Sequence, residues 1–181
     1  MNFSSYLRNR ALNRALEHFL AEKPMAKMPN LQRISSILMV LDESDKSIVK
    51  NIENSTKNLF GTSRCGFIIL CNQMSDNILQ SDLYTEITPK DFGFLSVLKS
   101  EKNEFIRKLP TSNIIINMAA KNSDISDYLC TLPKSDFRVG FQQSKYQRIY
   151  DLLIENPKAT DPVSNIFVLH NYLKALAGTE P

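Results

Sequence analysis

The chain has 181 residues, enough for one domain whose hydrophobic core needs no metal or disulfide support. Its 43% hydrophobic and 23% charged residues exclude an intrinsically disordered chain. The formal net charge is +3, yet residues 1–34 hold Arg8, Arg10, Arg14, Lys23, Lys27 and Arg33 against only Glu17 and Glu22, which leaves the remainder slightly negative. No apolar run approaches the roughly 18 residues that span a bilayer, and the early arginines interrupt any leader-like stretch, so a cytoplasmic protein is expected.

Leu12, Ala15, Leu16, Phe19 and Leu20 recur at helical spacing and predict an amphipathic helix over residues 5–22, ended by Pro24 and Pro29. Residues 23–30 then read as a linker, from which the helix either packs on the domain or reaches toward a partner. The domain organisation expected is an arm and linker over 1–30 and a core over 31–181. Ile34–Leu41 is short, apolar and rich in β-branched residues, which predicts a central strand closed by Asp42. A helix follows, with Ser44 or Asp45 as N-cap, Ile48, Val49, Ile52, Thr56, Leu59 and Phe60 inward, and Gly61 as its stop. Phe67–Cys71 is a second buried strand and completes a βαβ unit. Residues 73–93 are less regular and predict a short edge strand or loop around Leu83–Thr88. A crossover helix over Leu98–Leu109 leads to a third strand, Asn113–Met118. Beyond it come a helix through Ile125, Tyr128 and Leu129, short strands at Arg138–Phe141 and Arg148–Ile154, and a last helix opened by Pro162 and stopped by Gly178. Strands alternating with helices predict an α/β fold: a single Rossmann-like, mainly parallel sheet with helices on both faces, preceded by the amphipathic N-terminal helix.

In such a sheet, ligands bind beyond the carboxyl ends of the strands. The polar candidates there are Asp42, Asp45, Asn72, Asn117 and Lys121. A dinucleotide site needs glycines in the first βα turn so that the backbone can approach a pyrophosphate. Here that turn carries Asp42, Glu43 and Asp45, and the five glycines, at 61, 66, 93, 140 and 178, match neither GxGxxG nor GxxxxGK[ST]. The three acids suit Mg²⁺ only if other ligands converge on them, and helix capping is the simpler role. His18 and His170 lie far apart in sequence, and Cys65, Cys71 and Cys130 have no metal-ligand spacing and read as buried thiols. Neither a metal nor a cofactor is expected.

Several segments together resemble an uncharacterised family of Bacteroidota proteins known only as a domain of unknown function. They are the basic N-terminal helix, IxxILMVLDES (Ile34–Ser44), DFGF (Asp91–Phe94), NIIINMA (Asn113–Ala119), FRVGF (Phe137–Phe141) and YDLLI (Tyr150–Ile154). The resemblance covers nearly the whole chain and implies a Rossmann-like core but brings no catalytic residues. Asn113–Phe141, a strand, a helix and an RVGF element, is also similar to one half of heptosyltransferase-like glycosyltransferases. Those enzymes enclose a nucleotide-sugar between two Rossmann-like domains, and this chain is long enough for one.

The sequence therefore does not determine an activity. The basic arm favours a non-catalytic binding or accessory domain that contacts RNA, a ribonucleoprotein or a protein partner, with Arg8, Arg10, Arg14, Lys23, Lys27 and Arg33 as phosphate contacts. A variant lays the helix on an anionic membrane, with Leu12, Leu16, Phe19 and Leu20 inserted. The competing class is an enzyme or small-molecule binder with its site at the strand ends.

Overall fold

A computed structural model describes residues 3–23, 25–72, 84–94, 96–119, 123–141, 146–154 and 161–177, without the side chains of 3–9 and 123. Lys121, Pro24, Gly178 and most of the irregular piece after residue 72 lie outside the described residues, as does the side chain of Arg8.

Six strands form one sheet: β1 (Ser36–Asp42), β2 (Arg64–Leu70), β3 (Tyr84–Ile87), β4 (Ser112–Asn117), β5 (Ser135–Gly140) and β6 (Leu152–Leu153). Their order is β3-β2-β1-β4-β5-β6, and every neighbouring pair is parallel. This is the Rossmann order, in which the winding direction reverses between β1 and β4. All seven residues of β1 are buried because it sits at the centre with both faces covered, which is why it reads as an unbroken apolar run.

Side-chain alternation divides the core in two. Ile37, Met39 and Leu41 of β1 join Ile114 and Ile116 of β4 under α2 (Val49–Phe60) and α5 (Pro162–Ala177). Leu38, Val40 and Ile115 face α1 (Phe3–Glu22), α3 (Ser100–Arg107) and α4 (Ser123–Thr131). The stripe Val49, Ile52, Thr56 and Phe60 is buried, and α2 stops where Gly61 takes φ 63° while its N–H donates to the Lys57 carbonyl at 2.9 Å. Among the described residues no helix is long and apolar enough to cross a membrane.

Helix α1 lies against the sheet domain. Leu12 and Leu16 are buried in the second core cluster, and Asn13 accepts a hydrogen bond from the Tyr146 hydroxyl. The buried Arg138 of β5 donates through Nε to the Cys130 carbonyl at 3.0 Å and through Nη2 to that of Pro133 at 3.1 Å, with its guanidinium 4.8 Å from the centre of the Phe19 ring. Burial lowers the Arg138 pKa from its ordinary value, and the carbonyls with the ring face take the place of solvent. At the helix end Lys23 pairs with Asp151 at 2.5 Å and donates to the Arg148 carbonyl at 3.0 Å.

Three expectations need correction. The first strand starts at Ser36 and includes Asp42, because the ladder opens with the Ser36–Arg64 pair while Ile34 still caps the 3-10 turn Leu31–Arg33. Neither Ser44 nor Asp45 is the N-cap of α2: a 3-10 turn, Glu43–Ile48, comes first, and α2 begins at Val49. Arg148–Ile154 is mostly not strand. The Asp151 carboxylate takes the Arg138 N–H at 2.8 Å in place of a ladder carbonyl, so β6 pairs only from Leu152 onward, after the 3-10 turn Gln147–Ile149.

Candidate functional site

The reversal between β1 and β4 brings Asp42 and Asn117 to the carboxyl edge on one face of the sheet, since Val40 is the register partner of Asn117 and Asp42 lies two residues further along. Asn117 is the centre of a buried polar network. The two hydrogens of its Nδ2 are shared among Ser126 Oγ at 3.0 Å, Asp127 Oδ1 at 3.2 Å and the Tyr150 hydroxyl oxygen at 2.6 Å, while its Oδ1 accepts from the Ala119 N–H at 3.1 Å. The Tyr150 hydroxyl in turn donates to Asp127 Oδ1.

Tyr150 reaches Asn117 across β5 because residue 140 is glycine. A Cβ there would stand 2.9 Å from Leu153 Cδ2 and 3.2 Å from two Tyr150 ring carbons. Burial above all, with the neighbouring Cys130 and the Asp127 carboxylate, raises the Tyr150 pKa far above its ordinary value, so the hydroxyl keeps its proton and serves as a donor. Every member of the network is at most 8% exposed. The arrangement ties β4, α4 and the Tyr150 turn together across an intervening strand, and its donors and acceptors are used internally.

The other acidic candidates are also engaged. Glu43, next to Asp42, accepts from the Asn72 N–H at 3.0 Å and its Nδ2 at 3.1 Å, which ties the ends of β1 and β2 together. Asp42 and Asp45 each have a partner as well, so neither is a free carboxylate. Asn72 is thus joined to Glu43 rather than to Asn117. Among the described residues no group of three His, Cys, Asp or Glu side chains is placed to hold a metal ion. His18 is paired with Glu22 on α1, and His170 meets the Phe60 ring edge-on at 5.2 Å. All three cysteines are buried, and burial holds the thiols protonated, with pKa values pushed up to about 12 for Cys65 and about 11 for Cys71.

Of the six basic candidates, four fall into two pairs, Lys23 stands apart, and the side chain of Arg8 lies outside the described residues. Arg10 and Arg14 are exposed one turn apart on α1, opposite the buried Leu12 and Leu16. Lys27 and Arg33 are at the amino edge of the sheet, where with Asn30, Asn113 and Asp136 they line a groove of about 270 Å³. Lys23 is withdrawn from solvent by Asp151.

Ser126, Asp127 and Tyr150 are the residues that reading by periodicity missed. A surface helix has one inward stripe, but α4 is buried at every position from Ser126 to Thr131, because the sheet covers one side and α1 the other. Ser126 and Asp127, a polar pair set between the apolar Ile125 and Tyr128–Cys130, were the available signal.

No curated protein and no solved structure matches the chain. A model of a family of unknown function, DUF6913, matches residues 8–176, which takes in α1 as well as the whole sheet. The chain therefore belongs to the family of unknown function DUF6913.

Proposed function

We propose that this protein is a non-catalytic accessory domain that works in the bacterial cytoplasm and contacts an RNA or ribonucleoprotein through its basic N-terminal part. The observation that carries the reading is the orientation of α1: its apolar stripe is buried in the protein's own core while Arg10 and Arg14 face solvent. Helix packing of this kind fixes a cationic surface outward, where phosphates can meet it. It also favours a phosphate partner over a membrane, since Leu12 and Leu16 are not available for insertion. At the carboxyl edge, where the competing small-molecule site would lie, Asn72 is hydrogen-bonded to Glu43, and Asn117 to Ser126, Asp127 and Tyr150. The glycosyltransferase likeness supplies nothing further, because a shared strand-helix-strand topology does not carry an activity.

Sedimentation of the tagged protein from cell extract through a sucrose cushion tests the reading. Pelleting with RNA at low salt, release at high salt, and weaker pelleting of Arg10→Gln/Arg14→Gln are expected. A protein that stays soluble at every salt concentration overturns it.

A further inference from the structure

Because the sheet is wholly parallel, all its amino ends lie at one edge and all its carboxyl ends at the other. Among the described residues that flank the strands, the two edges differ in charge. Arg33 precedes β1, Arg64 opens β2 and Lys134 immediately precedes β5, and all three are exposed. At the other edge, Asp42, Glu43 and Asp45 follow one another at the end of β1, and Glu86 stands near the end of β3, ion-paired with Lys46. Among the described residues that flank the strands, the amino edge has two carboxylates of its own. Asp151 is ion-paired with Lys23, and Asp136 is exposed, accepting from Asn113 Nδ2 at 3.2 Å.

Strands β2, β1, β4 and β5 are consecutive in the sheet, so Arg64, Arg33 and Lys134 are spread over about three inter-strand spacings, roughly 14 Å at ~4.8 Å each. None of the three forms an ion pair among the described residues. A line of separated cations without an ion pair among the described residues suits a polymer that carries an anion at every repeat better than it suits a single small anion. The groove between Lys27, Arg33, Asn113 and Asp136 lies on this line. Asp136 repels a phosphate but accepts a hydrogen bond from a ribose 2′-hydroxyl, the group that distinguishes RNA from DNA.

We propose that the amino edge of the sheet is a docking surface for the RNA backbone, with Lys27, Arg33, Arg64 and Lys134 on phosphates and Asp136 on a 2′-hydroxyl. The proposal rests on the accessory reading above and adds to α1 a second contact surface, at the opposite end of the sheet from the usual Rossmann ligand crevice.

Fluorescence anisotropy with single-stranded RNA and DNA of one mixed sequence, titrated at several salt concentrations, tests it on the full chain. Arg33→Gln/Arg64→Gln/Lys134→Gln is expected to lower the slope of log K against log salt by about 2, at ~0.7 per lost phosphate contact. Its unfolding midpoint should match the wild type, since the three side chains are exposed. Asp136→Ala, which removes the acceptor together with the charge, is expected to tighten binding to both polymers and to erase the preference for RNA. If the edge variant binds like the wild type while Arg10→Gln/Arg14→Gln loses affinity, the edge proposal fails and the accessory reading stands. A wild-type protein that binds neither polymer at low salt overturns both. If polyglutamate binds as tightly as RNA and is lost in the same edge variant, the surface docks an acidic protein and the RNA assignment is wrong.

Discussion

The two ends of the parallel sheet handle polar side chains in opposite ways. At the carboxyl edge Asn117, Ser126, Asp127 and Tyr150 are buried and bonded to one another, and Glu43 holds Asn72. At the amino edge Arg33, Arg64, Lys134 and Asp136 stand in solvent. A polar residue at a strand end is therefore not a site by position alone. What matters is whether its hydrogen-bonding capacity is already met inside the protein, because a satisfied buried group stabilises the fold and an exposed charge is free for a partner.

The largest expected effect lies at the carboxyl edge. Asn117→Ala leaves the Ala119 N–H without its acceptor and removes the amide donors to Ser126, Asp127 and Tyr150, and should destabilise the protein by about 3 kcal/mol in urea unfolding. A loss under about 1 kcal/mol would mean that water or the neighbours replace the amide, and the contrast between the edges would collapse. Next comes Gly140→Ala, which places a methyl group against Leu153 and the Tyr150 ring and should cost about 2 kcal/mol, since either the ring moves off Asn117 or β5 shifts. A wild-type melting temperature in this variant would show that the ring has room to retreat.

A smaller effect is expected at the start of α5. Asp161 accepts from the Ser164 hydroxyl at 2.8 Å, the Ser164 N–H at 2.9 Å and the Val163 N–H at 3.3 Å, so Asp161→Ala should cost about 1 kcal/mol at neutral pH. The Ser164 hydroxyl first, then the two N–H donors, hold the carboxyl below its ordinary value of 3.8. A depressed carboxylate pKa contributes stability that is complete above the unfolded value and disappears as pH falls through the folded one. The gap between wild type and variant should therefore close on acidification below about pH 4, and a gap that stays constant with pH would show that the charge is not involved. At the amino edge, Arg33→Gln, Arg64→Gln and Lys134→Gln should each change stability by less than ~0.5 kcal/mol, and a larger loss would identify that edge as structural.

Much of the fold is legible in the sequence because strand and helix periods impose different apolar spacings. Ile34–Leu41 identified β1 to within two residues, the Pro162 helix start agrees with α5, and of the edge strand or loop expected around Leu83–Thr88 the strand is found, as β3. The site was less legible. Asn117 was visible as a polar residue ending an apolar strand, but Asp127 and Tyr150 are 10 and 33 positions away from it, and nothing in local spacing relates them. Arg138 looked like an ordinary strand residue, yet it is 4% exposed, because Phe19 from the far end of the chain covers it.

By itself the sequence determined the alternation of strands and helices, the apolar stripes that set which way each element faces, the lack of a phosphate-binding glycine turn and the basic bias of the first 34 residues. Those are local properties, encoded in the spacing of neighbouring residues. Tertiary structure alone decided the strand order, the burial of α4 on two sides, the closure of the Asn117 network and the division of the basic residues between α1 and the amino edge. Each of these depends on contacts between residues distant in the chain, whose pairing follows from packing the whole sheet and from no single segment.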